Sequence, residues 1–367
     1  MTLKQQILAW IIISVVMVLF IYVFRAILLP FVAGMGLAYL LDPLADRLQK
    51  LRFSRMWATI TILLIFVFLF ALLLVIVAPI VGHQLIGLVA KLPEYATGIQ
   101  TILVEQAQKL FGGDMANSAQ MLKDSVGNLV GQGAKWIGSI LTSLWNGGQA
   151  LMSLLGLLIV TPVVAFYMLL DWDRMVGKID GWLPRDHVET VRGLAREMNE
   201  AVAGFVRGQV SVCLILGIYY AVTLTLIGVN FGAAIGLGAG IFSFIPYVGA
   251  IIGFILAVGV ALVQFWPDWV WIVATIVVFL FGQFLEGNIL SPNLVGSKVG
   301  LHPVWLMFAL FAFGYLFGFV GMLVAVPAAA IVAVLVRFMI RQYLESKLYA
   351  GSDGGGDGKL EAAKEAE

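Results

Sequence analysis

Long apolar runs alternate with short polar connections along most of this chain. A helix needs about 20 predominantly apolar residues to cross the hydrocarbon layer of a membrane. Eight segments reach or approach that length, so the pattern predicts an all-α polytopic membrane protein with about eight transmembrane helices. These segments are residues 7–24, 26–41, 58–82, 138–170, 208–228, 231–265, 269–285 and 303–336.

The sixth and eighth segments are too long for one straight crossing, and each is interrupted by a glycine and a proline six residues apart. The pairs are Gly240 with Pro246 and Gly321 with Pro327. Paired interruptions of this kind are typical of transporters, where broken helices form a binding site near the middle of the membrane. We therefore expect each segment to contain a helix, an unwound elbow and a second helix, with simple proline kinks as the alternative.

The distribution of lysine and arginine predicts the orientation. These residues are dense in 42–57, 171–207 and 337–347, whereas residues 83–135 carry four lysines balanced by four acids. Because cytoplasmic loops carry an excess of Lys and Arg, the first three regions are predicted to be cytoplasmic and the last external. Both termini then lie in the cytoplasm, which agrees with an even number of crossings.

Three regions lie outside the predicted spans. Residues 83–137 are predicted to form an external amphipathic segment, and residues 171–207 a cytoplasmic region with an amphipathic helix over 185–205. The tail, 348–367, is rich first in glycine and then in Glu, Lys and Ala, so it is expected to be disordered. We interpret residues 1–347 as a single transmembrane transporter domain.

Composition narrows the function classes. The chain is 61% hydrophobic and 12% charged with a net charge of +1, which provides no basic surface for nucleic acid. One cysteine and three widely separated histidines do not suggest a metal site, and no cofactor is expected. The chain has no Gly-Lys-Ser/Thr phosphate loop and no recognisable catalytic constellation, so it is not predicted to be an enzyme.

Charged residues are rare from the fifth to the eighth predicted span, residues 208–336. Between Arg207 and Arg337 only Asp268, Glu286 and Lys298 are charged. Glu286 falls at the end of a predicted span, and an ionisable group at membrane depth is a candidate for binding a proton or a cation. The alternatives are a solvated position among the lipid headgroups or an ion pair with Lys298.

Uncharged polar residues mark a candidate path for the substrate. They lie beside the first interruption or in the polar connection 283–298, and together with the two Gly/Pro pairs they form the predicted path: Gly240, Ser243, Pro246, Tyr247, Gln283, Asn288, Asn293, Gly321 and Pro327. At the cytoplasmic edge, Arg207 and Gln209 open the fifth span. Arg207 is expected to reach the membrane interface, and hydrogen bonding between helices would equally explain the uncharged groups.

Several strings support a family resemblance that extends from Leu28 to Phe338. They are Phe205-Val-Arg-Gly-Gln209, Phe242-Ser-Phe-Ile-Pro-Tyr-Val-Gly249, Pro292-Asn-Leu-Val-Gly-Ser-Lys-Val-Gly-Leu-His-Pro303 and Phe317-Gly-Phe-Val-Gly-Met-Leu-Val-Ala-Val-Pro327. With them the chain resembles the autoinducer-2 exporter family of bacterial inner-membrane permeases. The C-terminal half carries the specific part of the likeness.

The resemblance implies an eight-span secondary transporter of the bacterial inner membrane. Some members are described as exporters of the signal autoinducer-2 and others as sodium/proton antiporters. Members are also described as homo-oligomers, including pentamers. The family has no single catalytic signature that could be carried over to residues of this chain.

Together these observations predict a gradient-driven transporter that exports a small polar metabolite or signal such as autoinducer-2. The first alternative is a monovalent cation (Na⁺)/proton antiporter that uses Glu286. A non-transporting membrane scaffold is the alternative from another class, with residues 185–205 or 85–137 binding a partner. The scaffold would leave the paired interruptions unexplained.

Overall fold

The computed structural model describes residues 27–111, 148–295 and 302–346, and a few positions near the ends (12, 16–17, 19–24 and 349). These residues form helices and turns, without a strand among them, which confirms the all-α prediction. The long helices are α1 (Leu28–Lys50), α2 (Arg55–Phe111), α3 (Gly148–Trp182), α4 (Val188–Ile227), α5 (Gly232–Phe242), α6 (Val248–Phe265), α7 (Trp269–Leu285) and α8 (Pro303–Leu344).

Seven of the described helical stretches are long and apolar enough to cross a membrane, and α5 is a shorter apolar helix. The eight-span pattern is thus recovered in large part. Half of the predicted first span, 7–24, lies outside the described residues. The predicted disordered tail, 348–367, lies outside them except for residue 349, and so do 112–137 of the predicted external segment.

Two predicted loop regions are helical. Helix α1 continues through most of the predicted cytoplasmic loop 42–57 and ends only at Lys50, and α2 begins again at Arg55 after a short turn. Helix α2 is 57 residues long, or about 86 Å at 1.5 Å per residue. Its last part therefore forms the start of the predicted external segment rather than a separate element.

Arg55 shows why the charged region 42–57 is ordered. Its guanidinium pairs with Asp42 at 2.8 Å and with Asp46 at 2.7 Å, and its Nε donates to the carbonyl of Leu169 at 2.7 Å. The side chain is only 16% exposed. One arginine therefore ties together α1, α2 and α3.

The predicted amphipathic helix over 185–205 is helical but is not separate from the fifth span. After a short 3₁₀ turn (Arg185–His187), α4 runs without interruption from Val188 to Ile227. No proline occurs between Pro184 and Pro246, so nothing in the backbone chemistry requires a break between the two parts.

The chain divides into two compact units. The first contains the residues up to Met175 together with Val206–Gly296, and the second contains Val176–Phe205 and the residues from Ser297 onward. The single domain predicted for 1–347 stays a prediction. In the first unit, α2, α4, α5, α6 and α7 share one apolar core built around the fully buried side chains of Val212, Leu216, Tyr220 and Leu224.

The first predicted interruption is confirmed as the tip of a helical hairpin. Helix α5 ends at Phe242 and α6 begins at Val248, so residues 243–247 form the tip and Gly240 itself remains helical. Tyr247 has a left-handed φ of 68°. At the open end, the Gln264 side chain accepts a hydrogen bond from the backbone N–H of Asn230 and donates one to the Gly228 carbonyl, which holds the hairpin closed.

Helix α5 lies directly on the backbone of α4. A Cβ added to Gly232, Gly236 or Gly240, which are spaced four residues apart, would collide with the α4 backbone at Leu224, Ala221 and Gly217 respectively. Small residues at this spacing let two helices approach closely in a membrane. The contacts advance along α5 as they go back along α4, so the two helices are antiparallel.

In the second unit, α8 is interrupted at Gly318, and the predicted break over Gly321–Pro327 is wrong in its position. Gly318 has φ 63° and ψ −141°, a conformation essentially restricted to glycine. Residues 321–327 are helical, because neighbouring groups can compensate for the one amide that Pro327 lacks. The Phe313 carbonyl lies so close to Gly321 that a Cβ there would collide with it, which indicates a sharp reversal.

Replacing Gly236 with alanine is expected to lower the stability of the protein. The new Cβ would overlap backbone atoms of Ala221, which cannot move aside as a side chain can, and overpacking typically costs about 1–3 kcal/mol. Gly238→Ala is the matched control, since its Cβ would meet nothing within 4 Å. Thermal unfolding in detergent should show a lower Tm for Gly236→Ala alone, and equal Tm values for the two variants would contradict the packing described.

Candidate functional site

The tip of the hairpin is held by one buried side chain of α4. Gln209 is 5% exposed and Ser243 is 2% exposed. The Gln209 Nε2 donates to the Ser243 carbonyl at 2.6 Å, and the Ser243 hydroxyl donates to the Ala239 carbonyl at 2.8 Å. A break in a membrane helix leaves carbonyls that need partners, and here Gln209 supplies one.

The residue next to Gln209 contacts a second irregular segment. A Cβ added to Gly208 would overlap the Leu294 carbonyl and approach the Val295 Cα to 2.8 Å. The end of that segment therefore lies directly on the α4 backbone. Consecutive residues of α4 thus contact the hairpin tip and the segment that follows α7.

That segment, Glu286–Val295, is a π-helix that continues directly from α7. π-Helices are rare, usually span a single turn and are frequent at functional sites. Two of the predicted path residues lie here: Asn288, whose side-chain amide donates to the Phe284 carbonyl at 3.1 Å, and the exposed Asn293. The predicted polar connection is therefore helical as far as Val295, and Lys298 lies outside the described residues.

Contacts with α4 show where Glu286 lies along that helix. Helix α7 runs antiparallel to α4, since the Tyr219 hydroxyl donates to the Val278 carbonyl at 3.1 Å whereas Leu294 reaches Gly208. Glu286 thus lies on the order of 10 Å along the helix from the level of Gly208. It belongs to the apolar stretch Trp269–Val295, which is long enough to span a membrane.

A small polar cluster surrounds Glu286. The Gln283 Nε2 donates to Glu286 Oε2 at 3.0 Å. On α4, Tyr220 is completely buried, and its hydroxyl lies so close to Gly282 that a Cβ there would collide with it. The Gln283 side chain lies within interaction range of this hydroxyl, but no described residue forms a hydrogen bond of standard geometry with it.

Glu286 makes no salt bridge within the ranges that the structure describes. The ion pair with Lys298 that the sequence leaves open is not tested, because Lys298 falls outside these ranges. Sequence reasoning missed Tyr220 as a neighbour of this carboxyl group. The adjacent phenols of Tyr219 and Tyr220, in an otherwise apolar run, were the available signal.

The remaining predicted residues fall in three places. Arg207 donates from Nε to the Tyr39 carbonyl at 2.8 Å, so it links α4 to α1 and does more than reach the membrane interface. Pro246 and the 44% exposed Tyr247 lie at the hairpin tip. Gly321 and Pro327 lie on α8 in the other unit.

Comparison with known proteins identifies the family. A model of the AI-2E family transporters matches residues 11–341. The chain belongs to the AI-2E transporter family. As a member of that family, with seven apolar helices long enough to span a bilayer in its described part, it is a multi-pass membrane transport protein.

Several bacterial relatives of this AI-2E chain match over most of their length. It is 27% identical to the candidate transport protein YrrI of Bacillus subtilis, over 85% of this chain and 90% of the relative. It is 29% identical to the candidate permease PerM of Escherichia coli K12, over 81% and 82%. The AI-2 transport protein TqsA of Escherichia coli K12 is 26% identical over 79% of each chain.

Replacing Gln209 with methionine is expected to destabilise the hairpin tip. Methionine fills a similar volume but cannot donate to the Ser243 carbonyl, which would be left buried without this partner at a cost of about 1–3 kcal/mol. Ser211→Ala is the control, because the Ser211 hydroxyl donates only to the Arg207 carbonyl of its own helix. Limited proteolysis within the hairpin tip, residues 243–247, should be faster in Gln209→Met than in the parent protein and unchanged in Ser211→Ala. Equal cleavage rates in the two variants would argue against this role for Gln209.

Proposed function

We propose that this AI-2E chain is a gradient-driven permease of the bacterial inner membrane that exports a small polar metabolite or signal. The distribution of Lys and Arg supports a cytoplasmic position for both termini. The sequence contains no phosphate-binding loop that would couple transport to ATP. The relative named as the AI-2 transport protein TqsA makes autoinducer-2 the first solute to test.

The observation that carries this proposal is the meeting of two irregular segments at Gly208 and Gln209. The hairpin tip is attached there through one hydrogen bond, and the π-helix rests there on a residue without a side chain. Both segments offer polar groups to a solute, including exposed Tyr247 and Asn293. Contacts this local can be broken and remade, which alternating access to a binding site requires.

Enlarging Gly208 is expected to block transport. A valine side chain at this position would push the π-helix away from α4, because it would overlap the Leu294 carbonyl. Gly193→Val is the control on the same helix, since a Cβ there meets nothing within 4 Å. In sealed proteoliposomes loaded with autoinducer-2 and given a proton gradient, we expect at least about tenfold slower efflux for Gly208→Val.

Unchanged efflux from correctly folded Gly208→Val would show that transport does not depend on the contact between Gly208 and the π-helix. If the parent protein moved no polar solute while a cellular phenotype depended on it, the scaffold hypothesis would gain.

The homo-oligomer that the family resemblance implies is also a proposal. Cross-linking in native membranes would test it independently of transport.

A second candidate function is exchange of a monovalent cation for a proton, and the position of Glu286 favours it. This carboxyl group lies in an apolar spanning stretch, and its described hydrogen-bond partner is a neutral amide. An ionisable residue in such surroundings is a candidate for binding a transported proton or cation. Such a group can support exchange, because a carboxyl group that releases its proton becomes a carboxylate, which is a site for one positive charge.

Glu286→Gln is expected to abolish cation-driven proton movement, because the amide keeps the shape of the side chain but cannot ionise. Asp268→Asn is the matched control, since Asp268 is the other acid between Arg207 and Lys298 and directly precedes α7. Liposomes containing a pH-sensitive dye and given a sodium gradient would report the flux. Proton movement in Glu286→Gln equal to that of the parent would refute the exchange role of Glu286.

A further inference from the structure

We propose that the Tyr220 hydroxyl, the Gln283 side-chain oxygen and the Glu286 carboxylate form a binding site for a monovalent cation between α4 and α7. This inference rests on the cation–proton exchange proposed above. It adds a residue from a second helix, Tyr220, and assigns a ligand class to a cluster that otherwise contains an unexplained buried hydroxyl.

The position of Tyr220 is rigid. Its ring stacks on Phe279 with a centroid distance of 4.5 Å and an interplanar angle of 17°, and the whole side chain is inaccessible to solvent. Its hydroxyl reaches α7 at Gly282, adjacent to Gln283 and one helical turn before Glu286. The phenol therefore cannot turn outward to find another partner.

Neighbouring Tyr219 provides the contrast. Its hydroxyl donates to the Val278 carbonyl at 3.1 Å, so its hydrogen-bonding capacity is used within the protein. The Tyr220 hydroxyl, buried more deeply, lies within interaction range of the Gln283 side chain and of Glu286, but it makes no hydrogen bond of standard geometry with a described residue. A buried hydroxyl that contributes nothing to the apo protein would be replaced without loss by phenylalanine, whereas a hydroxyl that binds a ligand would not.

The donor set and its charge select the ligand class. A carboxylate, an amide oxygen and a hydroxyl are hard oxygen ligands of the kind that suit alkali and alkaline-earth cations. Glu286 is the one carboxylate among the described side chains of this cluster, and Asp268 is the other acid between Arg207 and Lys298. One negative charge neutralises one positive charge, whereas a divalent ion would leave a net charge within the membrane, which is costly.

Binding and exchange then balance. When the cation enters, the Glu286 carboxyl releases its proton, and when the cation leaves, the carboxylate takes up a proton. This exchange belongs to the second candidate function, whereas the binding site is defined by the positions of Tyr220, Gln283 and Glu286.

The experiment measures cation binding separately from transport. Thermal unfolding of the purified full-length chain in detergent would be followed against sodium chloride, with choline chloride holding the ionic strength constant. A cation that binds only the folded state raises the Tm in proportion to its occupancy. We expect sodium to raise the Tm of the parent protein and to have no effect on Glu286→Gln.

The decisive pair is Tyr220→Phe and Tyr219→Phe. Tyr220→Phe should keep or raise the Tm in choline and need about tenfold more sodium for the same stabilisation, which corresponds to about 1.4 kcal/mol of binding free energy. Tyr219→Phe should lower the Tm in choline and keep the sodium dependence. Should Tyr220→Phe fail to fold, Gln283→Leu, on a more exposed position, should show the same tenfold weakening.

The outcomes separate this inference from the proposed functions. A parental sodium dependence in Tyr220→Phe, with none in Glu286→Gln, would reject Tyr220 as a ligand and leave exchange through Glu286 in place. No stabilisation of the parent protein by sodium would overturn the inference. Solute efflux, measured in liposomes with autoinducer-2, would still test the permease proposal.

Discussion

The close approach of α5 to the backbone of α4 is the constraint on which the rest of the first unit depends. In lipid there is no hydrophobic drive for helices to associate, so close packing must supply the attraction. Gly232, Gly236 and Gly240 permit that packing, and the antiparallel contact delivers the hairpin tip to Gln209. Without it, the broken backbone at residues 243–247 would lose the enclosure that a membrane requires.

Features that follow from local chemistry were predictable from the sequence. The length of the apolar runs predicted the helices, and the bounds 269–285 agree with α7. The first interruption was found because Gly240 and Pro246 interrupt an apolar run, and the helix ends between them, at Phe242. Glu286 was found because a lone acid in an apolar region stands out against its surroundings.

Features that depend on tertiary contacts were not predictable. Residues 42–57 look like a loop because they are charged, yet Arg55 satisfies two aspartates and a carbonyl and allows helix to continue on both sides. The second interruption lies at Gly318, where the backbone angles leave the helical region. Nothing in the sequence distinguishes Gly318 from Gly314 or Gly321. Tyr220 became a candidate only when its hydroxyl proved to face α7.

The hairpin tip and the cluster at Glu286 pose one physical problem, which is how to keep polar groups inside an apolar bundle. A fully satisfied polar network would be rigid, and an unsatisfied one would be unstable. The AI-2E chain lies between these limits. Gln209 satisfies the carbonyl at the tip, while the Tyr220 hydroxyl, beside Gln283 and Glu286, has hydrogen-bonding capacity that no described residue uses in standard geometry. A ligand that fills this capacity contributes binding energy that the empty protein lacks, and such differential binding is what shifts a conformational equilibrium.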